Sequence, residues 1–263
     1  MLQLGIMAIM LALTINSTTS HVATVHQEYI PDKSKMASII IDDFGNNMKG
    51  TQEIIAMPYP LTVAVMPFLP TSKSDAEAAH LAGKEVIIHM PMEPVSGNKS
   101  WLGPGVILTS LSDDEIRKRV DAAVAEIPHA IGINNHMGSK ATGDPRVMRI
   151  VLEQCKKHRL FFVDSHTNYH SIACKTAVEV GVPCIENELF LDDTHTVSHV
   201  MKQIGVIHQR LQTRKYCVAI GHVGSSGRTT AEALKNKLPD LANYVQLIPI
   251  SQLISLKHDG LTE

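Results

Sequence analysis

Five short apolar runs in this 263-residue chain each finish on side chains that bind metals or move protons. Ala37-Ser38-Ile39-Ile40-Ile41 leads into Asp42-Asp43, and Glu85-Val86-Ile87-Ile88 into His89. Ala130-Ile131-Gly132-Ile133-Asn134-Asn135 leads into His136. Leu160-Phe161-Phe162-Val163 leads into Asp164, with His166 two residues on, and Tyr216-Cys217-Val218-Ala219-Ile220-Gly221 into His222. Random placement of 14 His and 26 acidic residues is not expected to produce so regular a pattern. Carboxylates and neutral imidazoles are oxygen and nitrogen ligands suited to zinc and other first-row divalent cations. They are also common general bases and acids. Two adjacent carboxylates at the end of a buried run are costly unless something pairs with them.

Those residues need elements that bring them together. Continuous β-branched runs read as strands buried on both faces. If the strands are parallel neighbours in one closed sheet, all five ends meet on one face. Residues 61–66 read as a further strand, 184–186 as a brief one and 245–248 as the last. Helical signals alternate with them. Residues 72–81 read as a helix opening on Ser72. Ser112-Asp113-Asp114-Glu115 is a capping box ahead of Ile116, Val120 and Val124. Asp144-Pro145 opens another helix, with proline at its first position. Helices follow over 171–180, 194–211 and 251–256, and Thr229-Thr230-Ala231-Glu232 reads as a second capping box. About eight strands in alternation with helices predict an α/β protein, a single (β/α) barrel, complete or distorted, over residues 36–258. No glycine-rich phosphate loop follows the first strand, so a dinucleotide site has no support.

Composition narrows the function. Apolar residues make up 44% of the chain, enough for a full core, and the net charge of −2 with no basic stripe argues against nucleic acid as a partner. Aromatic residues are 4%, with Trp101 the sole tryptophan, which favours a short or non-stacked substrate. Residues 2–15 are apolar and uncharged and are followed by small polar residues, as in a signal peptide, although no Lys or Arg precedes them. The stretch is short of the roughly 20 residues of a membrane span. The expectation is a signal peptide over 1–23, a polar lead-in over 24–35, export to the periplasm or cell exterior, and no stable membrane span after cleavage. There is no CxxC pair among the four cysteines, so a structural zinc knuckle is not expected. Cys217 falls in an expected strand and Cys155 on an expected helix. Cys174 and Cys184 have the option of pairing in an exported protein, but buried free thiols are the preferred reading.

The motifs carry a resemblance. Ile40-Ile41-Asp42-Asp43-Phe44-Gly45, His89-Met90-Pro91-Met92-Glu93-Pro94, Asn134-Asn135-His136-Met137-Gly138-Ser139, Val163-Asp164-Ser165 and Ile220-Gly221-His222 together resemble the divergent polysaccharide deacetylase family, the YibQ-like proteins. The likeness runs in order from about residue 36 to 256. That family is similar to the NodB-type carbohydrate esterases, which implies a distorted (β/α)7-8 barrel and a divalent metal, most often Zn2+, used to remove acetyl groups from N-acetylated sugars. Carried over by position, Asp42 is implied as the base and Asp43 as a metal ligand. The ordinary enzymes place both metal histidines in one H-x-x-x-H segment after the third strand; here that strand supplies only His89. A literal His166-x-x-x-His170 follows a later strand and is set aside as coincidence, leaving His136 as the second imidazole. The expected metal triad is Asp43, His89 and His136. His222 takes the place of the general acid, and Asp164 is expected to orient that acid or to contact the metal.

The resemblance thus implies a metal-dependent hydrolase that deacetylates an N-acetylated amino-sugar glycan of the cell envelope. A non-catalytic envelope protein that keeps the barrel and binds a glycan or protein partner is the alternative. Asp192-Asp193 reads either as a helix cap or as part of the site, and Glu93 as a loop residue or a support behind the ligands rather than a ligand itself. The nine remaining histidines, His195 among them, read as surface positions.

Overall fold

The strands form where the β-branched runs predict them. The computed structural model describes residues 34–260. The expected signal peptide and nearly all of the lead-in lie outside the described residues. Among those residues there are nine strands: β1 Met36–Phe44, β2 Thr62–Val65, β3 Glu85–Met92, β4 Ala130–Met137, β5 Phe161–Asp164, β6 Cys184–Glu186, β7 Leu189–Phe190, β8 Tyr216–His222 and β9 Gln246–Leu247. They alternate with α1 Thr51–Ile55, α2 Ser72–Leu81, α3 Asp113–Glu126, α4 Pro145–Lys157, α5 Ala173–Val180, α6 Val197–Leu211, α7 Gly227–Ala242 and α8 Ile250–His258.

The neighbour order is β6-β5-β4-β3-β2-β1-β8-β7, with β9 beside the start of β1. Every pairing is parallel. The two outermost strands, β6 and β7, are consecutive in the chain. Between them Asn187 N–H donates to Asp164 O and Glu188 N–H to Val218 O. The sheet is therefore a curled parallel barrel with a seam at β6 and β7, the distorted (β/α) barrel expected.

Period-2 alternation divides the strand residues between two cores. Ile40, Ala64, Ile87, Val163, Val218 and Ile220 pack together inside the barrel. Ile39, Ile41, Val63, Val65, Ile88, Ile133 and Phe162 face the helices outside. Gly132 leaves room for the inward Phe161 ring, which a Cβ there would meet at 2.2 Å. The opening of α8 lies at the starts of β2 and β3: Ile250 N–H donates to Thr62 Oγ1 and Ser251 N–H to Glu85 Oε1. Ile250, Leu253 and Ile254 join the interior cluster, so α8 closes the end of the barrel opposite the chemical residues.

The caps explain which helix starts were legible. Ser112 accepts from Glu115 N–H, and Asp144 accepts from Arg146 and Val147 N–H with Pro145 behind it. The second expected capping box fails: α7 begins at Gly227, and Thr230 lies inside it. Thr196, not Thr194, caps α6, accepting from His199 N–H.

The cysteine reading also needs correction. Cys155 and Cys217 are buried free thiols, but Cys174 on α5 and Cys184 on β6 form a disulfide, their Cα atoms 5.3 Å apart. The turn at Gly181 (φ +78°) folds α5 back onto β6 and makes the bridge possible. The bridge closes a loop of 10 residues. Loop-closure entropy assigns such a loop about 2–3 kcal/mol. Replacing both cysteines with alanine is expected to lower unfolding stability by that amount in urea titrations. A reductant should then shift the wild-type midpoint and leave that of the variant unchanged.

Candidate active site

Asp42 follows Ile40 on the inward side of β1, His89 follows Ile87 on β3, and His222 follows Ile220 on β8. Asn134 pairs with the inward Val163 across β4 and β5, which places His136 on the same side. Asp43 has the opposite parity and by regular alternation would point out to the helices. Two features turn it inward: it adopts φ +70°, and the β1–β2 register shifts between Ile41 and Phe44. Left-handed backbone at a non-glycine residue costs about 1–3 kcal/mol and persists where its surroundings over-determine it. Here α2 holds the turn. Asp75 accepts from Gly45 N–H, Thr71 Oγ1 accepts from Asn47 N–H, and Thr71 N–H donates to Gly45 O. The bulge thus lets two consecutive carboxylates serve one site.

Asp43 Oδ1 lies 3.2 Å from His89 Nε2 and 3.1 Å from His136 Nδ1, and those nitrogens are 3.0 Å apart. The far side of each ring fixes its tautomer. His89 Nδ1 is 2.8 Å from Asn134 Oδ1, an acceptor, because the Asn134 amide donates its N–H to Asp42 Oδ1 at 2.9 Å. His136 Nε2 is 2.8 Å from the Trp101 carbonyl. Both outward nitrogens therefore carry the protons. Two bare nitrogens and an ionised carboxylate oxygen are left converging, and Asp43 Oδ1 is buried without a hydrogen-bond partner. Three lone pairs at this separation repel unless a positive charge sits among them. The donor set, two imidazole nitrogens and one carboxylate oxygen with ligand atoms within 4.8 Å of one another, fits a divalent cation with an open position. The same place attracts a proton: burial alone would lower the His89 pKa, but the Asp42 and Asp43 carboxylates raise it above the ordinary imidazole value.

Asp42 is 1% exposed and lies beside the trio, its Oδ2 3.6 Å from His89 Nδ1. Burial raises its pKa above the ordinary carboxylate value, which strengthens it as a proton acceptor. Asp42 pairs in register with His222 on β8. His222 is gripped by Asp192: its backbone N–H donates to Oδ2 at 2.7 Å, and its Nδ1 lies 2.8 Å from Oδ1. Thr230 Oγ1 donates to the same Asp192 Oδ2. Burial opposes the imidazolium, yet Asp192, with Asp43 and Asp42, raises the His222 pKa to about 9. Phe190 stacks on the imidazole at a centroid distance of 6.0 Å.

One cavity of about 650 Å³ opens over this arrangement, lined by Asp43, His136, Asp192 and His222 together with Trp101 and Phe190. The structure therefore gathers Asp42, Asp43, His89, His136 and His222. Asp164 stands apart. It shares parity with outward Phe162, and it accepts from Ser171 Oγ and from His166 N–H. The partner of His222 is Asp192, which sequence reasoning left undecided between cap and site. His195, read as a surface residue, also lines the cavity. His166 and His170 do not; His166 Nδ1 meets the Asn187 carbonyl at the seam. Glu93, a loop residue, accepts from Thr109 and Lys140; burial raises its pKa, but those partners together hold it at about 2.

The His222–Asp192 pair makes pH a probe. His222 contributes stability that is fully present below its ordinary value of 6.5 and is lost as pH rises through about 9. The urea midpoint of the wild type is expected to fall across that window, and Asp192→Asn should flatten the fall.

Comparison with known proteins gives the family and bears out the fold. Residues 39–254 match the family described as divergent polysaccharide deacetylase, and the chain belongs to that family. It is 35% identical over 221 residues to an uncharacterized protein of Haemophilus influenzae, covering 84% of this chain and 77% of that one. It is 34% identical over 218 residues to the uncharacterized protein YibQ of Escherichia coli, covering 83% and 67%. Among solved structures, an uncharacterized protein of Agrobacterium tumefaciens C58 shares the fold at a TM-score of 0.76 with 16% identity, over 83% of this chain and 89% of that one.

Proposed function

We propose that this protein is a metal-dependent hydrolase that removes acetyl groups from an N-acetylated amino-sugar glycan of the cell envelope. The observation that carries the reading is the convergence of three donor atoms, Asp43 Oδ1, His89 Nε2 and His136 Nδ1, beside the buried Asp42 carboxylate and across from His222. A divalent cation held by those donors, with zinc favoured by their chemistry, supplies Lewis acidity to an amide carbonyl and acidity to water. Asp42, whose pKa is raised by burial, takes the proton from the attacking water. Asn134 ties Asp42 to His89, so base and ligand keep one relative position. His222, protonated at neutral pH, donates to the departing amine while Asp192 holds its ring. A binding protein has no evident need for such a base and acid on facing sides of one cavity.

The Cys174–Cys184 disulfide supports an oxidising compartment and so an exported protein acting on an envelope glycan. Among the described residues no helix is long and apolar enough to cross a membrane. The reading is tested by incubating the zinc-loaded full chain with chitooligosaccharides and peptidoglycan fragments and measuring released acetate. Acetate release that stops on chelation and returns with zinc is the expected result. Full metal loading with no turnover of any N-acetylated glycan contradicts it and favours the glycan-binding alternative.

A further inference from the structure

We propose that the indole of Trp101 is the platform on which one pyranose ring of the substrate stacks beside the metal-ligand trio. The inference rests on the glycan-hydrolase reading and adds the part of the substrate that is recognised. Trp101 is the sole tryptophan of the chain, yet it is 67% exposed. The interior of the protein uses its backbone and not its ring: the carbonyl holds His136 Nε2–H, and the N–H donates to Asn98 O. Trp101 lines the cavity that Asp43 and His136 also line, and most of its surface is exposed. A large flat apolar surface kept out of the core and facing the chemical residues is a cost to the free protein that a ligand recovers.

The loop that carries it is tied down on both sides. Ile107 N–H donates to Pro91 O and Glu93 N–H to Ile107 O, while Glu93 Oε2 accepts from Thr109. Both ends of the loop are thus anchored, and the Trp101 carbonyl meets the far nitrogen of His136. A pyranose matches the indole: the axial C–H face is apolar and the rim is hydroxylated. Asn46, Ser100, Ser225 and Ser226 line the same cavity and offer partners for that rim. Phe190, which also lines the cavity, has one face toward His222 at a centroid distance of 6.0 Å and is only partly exposed, so Trp101 offers the more open ring. One platform implies recognition of one ring and not of a long stacked chain.

Intrinsic fluorescence of the zinc-loaded full chain reports this site without a label. Titration with N-acetylglucosamine oligomers of one to six units is expected to give a saturable change. Affinity should rise little, by less than about threefold, from the dimer to the hexamer. Trp101→Ala keeps the carbonyl, so its zinc content should equal that of the wild type. Its KM should rise about tenfold or more, with kcat within about threefold, and Trp101→Phe should recover part of the loss. An unchanged KM in Trp101→Ala overturns the proposal, as does loss of zinc from that variant, which would make the residue a support for His136. A steady gain in affinity with every added sugar overturns the single platform. Failure of the wild type to bind or cleave these sugars and peptidoglycan fragments alike sinks the hydrolase reading itself, whereas the variant results bear on Trp101 alone.

Discussion

Asp42→Asn is expected to lower turnover of an N-acetylated amino sugar by about 10²–10⁴-fold while leaving metal content unchanged. The substitution keeps the size of the side chain and an oxygen to accept the Asn134 N–H. It removes the one group beside the trio able to take a proton. Asp42 Oδ2 lies 3.6 Å from His89 Nδ1, the nitrogen that faces away from the other ligands, so the change does not remove a metal donor. Burial now raises the pKa of this carboxyl, and an amide escapes that cost, so the variant is expected to fold at least as stably as the wild type. A variant that retains more than about a tenth of the wild-type rate would remove Asp42 from the chemistry.

The second large effect concerns the ligands. His89→Ala with His136→Ala leaves Asp43 as the sole member of the trio, and one carboxylate does not hold a transition metal against water. Stoichiometric zinc uptake should vanish and activity should fall to background. His89 is 2% exposed, and its loss leaves Asn134 Oδ1 without its partner. A stability loss of about 1–3 kcal/mol is expected from that orphaned acceptor alone. His136→Ala is the cleaner control, because this side chain is partly exposed and its far nitrogen meets only a backbone carbonyl. It should weaken zinc binding with little change in the unfolding midpoint.

Much of this site was legible because a buried parallel strand writes itself as an unbroken apolar run, and the first polar residue after the run marks the barrel mouth. Asp42, His89 and His222 were found that way, and His136 stands two residues beyond Asn134, the first polar residue of its strand. The same rule brought in Asp164, which ends a run equally well. What separates Asp164 is parity: one position along β5 decides between the barrel mouth and the outer face, and the run of Leu160 to Val163 carries no alternation from which to read it. Asp43 shows the converse, since its inward side chain depends on a left-handed residue and a bulge that the triplet Asp42-Asp43-Phe44 does not announce. Asp192 was obscured because β7 is only two residues long, too short to register as a strand whose end matters. The Thr229-Thr230 pair imitates a capping box, but Thr230 spends its hydroxyl on Asp192 instead. The disulfide was missed because proximity of Cys174 and Cys184 is made by the reversal at Gly181, not by their spacing.

X-ray absorption at the zinc edge, on full-length protein loaded with one equivalent of zinc, tests the convergence of the trio most directly. The account predicts a shell of nitrogen and oxygen donors at about 2.0–2.2 Å with the outer-shell scattering of two imidazoles. His136→Ala should reduce the imidazole count to one. A sulfur shell, a shell without imidazole, or an unaltered spectrum from the double histidine variant would contradict it.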